Sequence, residues 1–359
     1  MPRDLAWSLS DGGGPPWPLM NSLQPIEIIG GGLAGLSLGL ALRRAGVPVT
    51  LHEAGSYPRH RVCGEFITGL SPTTIARLQL GPILADALHH REVAWFIDGQ
   101  APRLQQLPAP ALGLSRHALD ARLAAAFTQA GGDLRPQSRV TDDTPRPGRI
   151  FANGRRQGKS PWIGLKIHAL NLRLERDLEL HLGDQVYVGL TRVEDGRVNL
   201  CGLFRRRPLS APGAELIVQY LAAAGLPALA ARLQTAKFDA ASFSAVAALC
   251  FDARVPDSPR VQLGDACAMI PPFTGNGMAM AFQGAETALT PLLAYAHDRC
   301  DWRTTSLLIR TRLRQRFRMR LASARLLHPS LLQSSRQRWL AALARARLLP
   351  FRSFYSMLH

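Results

Sequence analysis

Near the start of the chain the spacing of apolar residues changes from that of a strand to that of a helix and back again. These changes predict a strand, a helix and a second strand. Residues 26–29 (Ile-Glu-Ile-Ile) are typical of a buried strand, and the apolar run from about Leu33 predicts a helix. Gly46 can end that helix, because glycine readily adopts the backbone conformation that follows a helix. Residues 47–52 predict the second strand, so the region has the element order of an α/β fold.

The turn between the first strand and the helix holds Gly30, Gly32 and Gly35 in the spacing G-x-G-x-x-G. In dinucleotide-binding turns the first glycine allows the tight turn, and the second lets the backbone approach a pyrophosphate. The third lets the helix pack closely on the strand. Leu33 and Ala34 begin the helix, whose N-terminus offers free N–H groups to phosphates. A tight turn without a ligand is the alternative, but the strand, the helix and a following acid together favour a nucleotide site.

That acid is Glu53, which directly follows the second strand and lies eighteen residues beyond Gly35. An acid in this position accepts hydrogen bonds from the hydroxyls of a ribose. Its charge repels a 2′-phosphate, so the sequence disfavours NADP and leaves NAD and FAD as candidates. Ala54 follows Glu53 and is expected to contact the same nucleotide.

A second region with closely spaced glycines lies between residues 261 and 289. Residues 261–263 predict a strand, residues 264–265 (Gly-Asp) its end, and residues 271–272 (Pro-Pro) a rigid loop. Residues 275–277 (Gly-Asn-Gly) open a helix of small residues. Such a helix start lets backbone approach a ligand and stabilises negative charge, as on one edge of a reduced flavin ring. A loop and a buried helix are the alternative, which accounts for the small residues but not for three such motifs together.

With these segments the chain resembles the FAD-dependent oxidoreductases that include the single-component aromatic hydroxylases and the geranylgeranyl reductases. The resemblance extends over roughly residues 24–300. It implies that Asp265 contacts the ribityl chain of FAD and that Pro272 and the Gly-Asn-Gly stretch lie under the isoalloxazine ring. Residues 116–123 resemble the family's Arg-x-x-Leu-Asp-x-x-Leu helix, which implies that Arg116 reaches the cofactor. An exposed arginine at a helix start is the alternative.

Residues 59–66 (Arg-His-Arg-Val-Cys-Gly-Glu-Phe) are similar to the Lys/Arg-x-Cys-Gly segment of the geranylgeranyl-reductase branch, whose cysteine sits close to the flavin ring. The similarity implies that Cys63 and Glu65 are candidate catalytic residues and that Arg61 contacts the cofactor. An inert buried cysteine is the alternative. Asn153 stands where the hydroxylases usually carry the acid of an Asp-Gly dipeptide, which argues against hydroxylase-like recruitment of NADPH there. The expected cofactor-binding residues are Gly30, Gly32, Leu33, Ala34, Gly35, Glu53, Ala54, Arg61, Arg116, Gly264, Asp265, Pro272, Gly275, Asn276, Gly277 and Met278.

The predicted architecture is α/β, with a Rossmann-like FAD-binding domain of the glutathione-reductase type. Residues 24–64, 114–158 and 258–295 are expected to form this discontinuous domain. Residues 65–113 and 159–257 are expected to form an inserted substrate domain, mostly an antiparallel sheet. We expect residues 1–22 to be a disordered extension and residues 296–359 to be a basic helical region.

Three functional hypotheses follow from the resemblance. The favoured one is reduction of a carbon–carbon double bond in a lipophilic isoprenoid or polyketide by reduced FAD, with NAD(P)H or another electron donor. The alternative is FAD-dependent hydroxylation of such a substrate with O2 and NAD(P)H. The third is a flavin-binding, membrane-docking protein without turnover. The Trp-x-Trp-x-x-Pro signature of flavin halogenases is missing, and Lys166 alone leaves halogenation open.

Charge and cysteine content add expectations about partners and location. The net charge is +17, and residues 301–359 carry thirteen arginines and one acid. That region is also strongly apolar and lacks a recognition motif. We therefore expect packed helices, with peripheral contact to an anionic membrane as the alternative, and no nucleic-acid binding. The five cysteines are scattered without metal spacing, so we expect a reducing cytoplasm and no metal site.

Overall fold

The structure is a computed structural model that describes residues 23–97, 101–155, 158–251, 255 and 257–345. The predicted extension, residues 1–22, lies outside the described residues, as does the end of the predicted basic region, residues 346–359. The described part contains two sheets, each with its own set of packed helices. This arrangement confirms the predicted α/β class.

The first sheet is the parallel sheet that the N-terminal pattern predicts. Its strands run in the spatial order β13-β7-β1-β2-β6, and all neighbours are parallel. The strands are β1 (Ile26–Ile29), β2 (Val49–His52), β6 (Asp133–Arg135), β7 (Arg149–Phe151) and β13 (Val261–Gln262). Because β13 pairs with β7 next to β1, the late glycine region is brought beside the early one.

The second sheet has eight strands in the order β12-β8-β11-β10-β9-β4-β5-β3. Its neighbours are antiparallel except β4 and β9, which are parallel. The strands are β3 (Phe66–Ile67), β4 (Leu88–Ile97), β5 (Arg103–Gly113), β8 (Trp162–Ala169), β9 (Leu178–Gly183), β10 (Val186–Arg192), β11 (Val198–Arg205) and β12 (Phe238–Val246).

Helices cover the two sheets in separate groups. Apolar side chains of α1, α4, α7 and most of α8 bury the first sheet, whereas α5 and α6 pack on the second, which Leu331 and Leu332 at the end of α8 also contact. The helices are α1 (Leu33–Arg44), α2 (Pro72–Arg77), α3 (Gly81–Leu84), α4 (Arg116–Gln129), α5 (Gly213–Ala223), α6 (Pro227–Gln234), α7 (Gly277–Ala296), α8 (Trp302–Leu332) and α9 (Ser334–Arg345). The short helices α2 and α3 pack into the first core, while β3–β5 of the same chain segment join the second sheet. The predicted domain boundaries stay a prediction.

Part of the basic charge on α8 is used inside the molecule. Arg316 Nη2 lies 2.7 Å from Glu286 Oε2 on α7, and Arg320 Nη1 donates to Gln283 Oε1 at 2.6 Å. Among the described residues, no helix combines the length and the apolar character needed to cross a membrane. Peripheral membrane contact stays a prediction.

Candidate functional site

The three glycines of the early turn each meet a different steric requirement. Gly30 has a φ of +111°, which favours glycine, and a Cβ there would lie 2.3 Å from the Ala152 carbonyl oxygen. A Cβ on Gly35 would lie 2.0 Å from the Gly30 carbonyl oxygen, so α1 could not approach β1 as closely. Gly32 differs, because an added Cβ would meet no atom within 4 Å. The open space beside Gly32 is where the sequence predicts a pyrophosphate.

Glu53 connects the end of β2 to this turn. Its Oε2 accepts a hydrogen bond from the backbone N–H of Gly31 at 2.9 Å, and its Oε1 accepts one from Gly55 at 2.8 Å. Arg59 Nη2 lies 2.6 Å from Oε1, and Arg61 Nη2 lies 3.5 Å from Oε2. Burial alone would raise the pKa of Glu53, but these N–H groups and guanidinium charges hold it below its usual range. The group is therefore an anion that still has acceptor capacity, because a carboxylate offers about four lone-pair positions.

The late glycine region forms two tight turns before α7. Gly264 and Asp265 lie in a short 3-10 turn directly after β13, and Gly275 has a φ of +67° that again favours glycine. Asn276 is buried, and its side-chain N–H donates to the Thr274 carbonyl at 3.1 Å. Gly277 begins α7, and a Cβ there would also meet nothing within 4 Å. Asn276 thus braces the turn, while Gly277 leaves room for a ligand.

One cavity of about 1250 Å³ joins the early turn to the late turn. Gly35, Asn276 and Glu65 do not line it: Gly35 packs against β1, and the other two lie behind its wall. The predicted residues that do line it are Gly30, Gly32, Leu33, Ala34, Glu53, Ala54, Arg61, Cys63, Arg116, Gly264, Asp265, Pro272, Gly275, Gly277 and Met278. The structure therefore brings together residues that lie more than 230 positions apart in sequence.

Arg116 is held at the cavity by a buried carboxylate rather than exposed at the start of α4. Its Nε and Nη2 lie 2.7 and 2.8 Å from the two oxygens of Asp120, and Arg61 Nε lies 3.1 Å from the same acid. Burial opposes the charge, but Asp120 raises the pKa of Arg116. The Asp265 side chain is exposed to the cavity. Desolvation nevertheless raises the pKa of its carboxyl, although the positive charge of Arg116 acts in the opposite direction. The charges of Arg116 and Asp265, which both line the cavity, therefore influence one another.

The two candidate catalytic residues occupy different environments. Cys63 lines the cavity, and burial raises the pKa of its thiol although the Arg116 charge opposes this. Glu65 is buried behind the wall, where its Oε2 lies 2.6 Å from His168 Nε2. Its Oε1 lies 3.4 Å from Lys166 Nζ and accepts a hydrogen bond from the Arg116 backbone N–H at 3.0 Å. Glu65 can therefore affect the cavity only through its neighbours.

Sequence reasoning missed His60, which lines the cavity three residues before Cys63. Its Nδ1 lies 3.1 Å from Lys166 Nζ, and an ammonium can only donate, so the neutral ring carries its proton on Nε2. Desolvation, followed by the Lys166 charge, lowers the pKa of His60 to about 4. Lys166 itself is fully buried and does not line the cavity, which argues against a halogenase-like role. The signal for His60 was its position directly before the Arg-x-Cys-Gly segment of residues 61–64, but no spacing rule identifies it.

The second sheet supplies the other wall of the cavity, and this wall is mainly apolar. Side chains at alternate positions of a strand point to the same face, so successive odd or even positions line the cavity together. From β4, β9, β10 and β11 and from the loop before α7 come Val93, Trp95, Ile97, Leu178, Leu180, Leu182, Tyr187, Leu203 and Phe273. These residues had no motif in the sequence, because only the register of the sheet brings them together.

Comparison with known proteins finds relatives in structure but not in sequence. No protein-family model and no curated protein matches the sequence. The fold is similar to that of PqsL from Pseudomonas aeruginosa, a probable FAD-dependent monooxygenase (TM-score 0.68, 16% identity, covering 89% of this chain and 99% of that chain). It is also similar to a geranylgeranyl bacteriochlorophyll reductase-like protein from Thermoplasma acidophilum (TM-score 0.68, 16%, covering 87% and 89%).

A third similar structure is the flavin-dependent brominase Bmp2 (TM-score 0.65, 16% identity, covering 84% of this chain and 86% of that chain). This chain has the fold of these flavoproteins. The predicted fold class and the resemblance to both the hydroxylase and the reductase branches are thereby confirmed at the level of the fold. At this identity the likeness carries no residue roles, so the site has to be argued from its own geometry.

Proposed function

We propose that the chain is a FAD-dependent oxidoreductase that acts on a lipophilic small molecule. The observation that carries this proposal is the convergence of the Gly32 turn and the Gly264–Asp265 turn on one cavity. Ligand sites commonly occupy roughly 300–1,000 Å³. The cavity of about 1250 Å³ is larger, which supports room for a substrate beside a cofactor.

The residues on the nucleotide side fit the parts of FAD in order. The space beside Gly32 and the N-terminus of α1 would take the diphosphate, because N–H groups and the helix dipole stabilise anions. Glu53 would accept from the ribose hydroxyls, and Asp265 from the ribityl chain. Gly277, at the start of α7, would let the backbone approach the ring. Bound FAD supplies hydride or electron transfer, and the protein supplies position and protons.

For the reaction, we favour reduction of a carbon–carbon double bond. Such a reduction adds a hydride and a proton to the substrate, so a proton donor is needed beside the ring. Burial raises the pKa of the Cys63 thiol, so the thiol stays protonated at neutral pH and can donate that proton, which solvent then returns. Glu65 would act as a positioning residue, because it holds the backbone of Arg116 and the Lys166–His60 pair.

Hydroxylation with O2 and NAD(P)H is the second candidate. It is supported by the structural similarity to PqsL, a probable FAD-dependent monooxygenase. The matched region covers 99% of the PqsL chain. The same apolar wall would receive the substrate in either reaction. The two candidates differ in whether oxygen enters the product.

Cofactor binding is tested first, by titrating the purified protein with FAD and following flavin fluorescence and absorbance. We expect one FAD per chain and a yellow protein. A folded protein that takes up no FAD would remove both enzyme candidates and leave only a role without flavin turnover.

The reaction is tested by incubating the reduced, FAD-loaded protein with a lipid extract of the source cells in D2O under 18O2. Products that gain two hydrogens, deuterium among them, and no 18O support reduction, whereas products with one 18O atom support hydroxylation. For reduction, Cys63→Ala should lower the rate roughly 100-fold. Cys300→Ala, which changes a cysteine that does not line the cavity, is the control.

A further inference from the structure

Two polar residues interrupt the apolar wall of the cavity on strand β5. Arg103 pairs across the sheet with Trp95, and Gln105 pairs with Val93. All four side chains line the cavity, as expected for alternate positions on one face of a sheet. Leu107 continues the same face. The wall is therefore mainly apolar, with Arg103 and Gln105 as a polar group on β5 and with Thr191 and Ser244 as further polar side chains on other strands.

Arg103 has no partner among the described residues. Its Nη1 is buried without a hydrogen-bond partner, and the guanidinium makes no ion pair with any described carboxylate. The Gln105 side chain likewise makes no hydrogen bond within the part of the chain that the structure describes. A buried charge-bearing nitrogen without a partner is costly, and one that lines a cavity can be satisfied by a bound ligand.

The arginines beside the nucleotide turn behave differently. Arg116 is paired with Asp120, Arg61 with Asp120 and Glu53, and Arg59 with Glu53. Each of these three guanidiniums therefore lies beside at least one carboxylate before any ligand binds, although the three cations share two acids. Arg103 carries its charge into the mainly apolar wall with no ion pair to a carboxylate of the described residues, which points to an anionic ligand on that side.

We propose that Arg103, assisted by Gln105, binds a terminal oxyanion of the substrate, so that the substrate is a lipophilic anion with a carboxylate or phosphate group on an apolar body. This inference rests on the proposed function, because it assigns the wall opposite the nucleotide turn to the substrate. A guanidinium offers two parallel N–H donors to a carboxylate or phosphate, and the Gln105 amide can donate a third hydrogen bond. The apolar body would lie along the leucines of β9.

The probes for this proposal share one alkyl chain and differ in the head group: dodecanoate, dodecyl phosphate and dodecanol. Binding of each to the wild-type protein, Arg103→Gln and Arg91→Gln is measured by isothermal titration calorimetry, with and without saturating FAD. Arg91 is the matched control, because it is exposed on β4 and does not line the cavity. FAD affinity is measured for all three proteins.

We expect wild type and Arg91→Gln to bind at least one anion more tightly than dodecanol. Arg103→Gln should bind that anion about tenfold to a hundredfold more weakly, with dodecanol and FAD affinities unchanged. The preferred head group identifies carboxylate or phosphate as the source of the oxyanion. Equal loss for dodecanol, loss of FAD binding in Arg103→Gln, or no anion binding by wild type would overturn the proposal. The titrations without FAD measure anion binding independently of the cofactor. Failure of the wild type to bind FAD, which would contradict the proposed function, is therefore distinguishable from failure of this inference.

Discussion

The two walls of the cavity are built in different ways. The nucleotide wall consists of backbone turns and glycines, such as Gly32 and Gly277, together with ionised groups that are already paired, such as Glu53. The wall from the second sheet consists mainly of apolar side chains, such as Leu180, together with Arg103, which pairs with no carboxylate in the part of the chain that the structure describes. One wall is preorganised for a fixed ligand by local sequence, whereas the other depends on the register of distant strands.

The difference teaches where a change in sequence should act. A substitution in the nucleotide wall should alter FAD binding and leave the substrate wall intact. A substitution in the sheet should do the reverse. Variants in each wall therefore test whether a change on one side affects ligand binding on the other.

The largest effect is expected for Gly32→Val. The added side chain enters open space, so folding should change by no more than about 1 kcal/mol, the typical effect of a helix-cap substitution. The same side chain fills the expected diphosphate position, and such overpacking should weaken FAD binding by about 3 kcal/mol, or roughly 150-fold. FAD titration and chemical denaturation measure the two effects.

The control for Gly32→Val is Gly81→Val, at the start of α3. A Cβ on Gly81 also meets nothing within 4 Å, and Gly81 does not line the cavity. It should retain wild-type FAD affinity. Normal FAD binding by Gly32→Val would show that the diphosphate lies elsewhere.

Gly35→Ala should act on folding instead. Its Cβ would lie 2.0 Å from the Gly30 carbonyl oxygen, so α1 and β1 must separate. We expect the free energy of unfolding to fall by about 1–3 kcal/mol, measured by chemical denaturation. Gly39→Ala on the same helix is the control, because its Cβ approaches the Phe127 side chain no closer than 3.0 Å. Equal stability of the two variants would contradict the close packing assigned to Gly35.

The different construction of the two walls also explains how far the sequence could be interpreted. The G-x-G-x-x-G turn and Glu53 act within 24 residues, so spacing alone predicted their geometry. Asp265 and Arg116 were reached through the family resemblance, and both line the cavity. Glu65 was expected at the active site, but the sequence does not show that Cys63 lines the cavity while Glu65 lies behind its wall. The positive φ of 53° at Glu65 is a backbone feature that strand periodicity does not predict.

His60 and Arg103 show the limit more clearly. The role of His60 depends on Lys166, which lies 106 residues away and contacts it only because β8 passes behind the segment. Arg103 was recognised only because it pairs with none of the described carboxylates, and that property depends on the positions of side chains from distant strands. Neither property is encoded in a local pattern.

The third variant, Glu53→Gln, tests the ribose contact. Loss of a charge-assisted hydrogen bond should weaken FAD retention by about 1–3 kcal/mol. The control is Glu27→Gln on β1. Glu27 Oε2 lies 2.7 Å from Arg149 Nε, and Glu27 does not line the cavity. FAD dissociation constants of the two variants should therefore differ. If both retain FAD like wild type, the ribose contact is misplaced.

The smallest effect is expected for Leu180→Ala, on the opposite wall. Leu180 lines the cavity from β9. Removing part of its contact with an alkyl chain should weaken dodecanol binding by about 1 kcal/mol, close to the value for one buried methylene, and should leave FAD affinity unchanged. Leu170→Ala is the control, because Leu170 is exposed and lies outside the cavity. A fall in FAD affinity in Leu180→Ala, measured in the same titrations, would mean that the two walls are coupled, because a change confined to the apolar side would then have reached the nucleotide side.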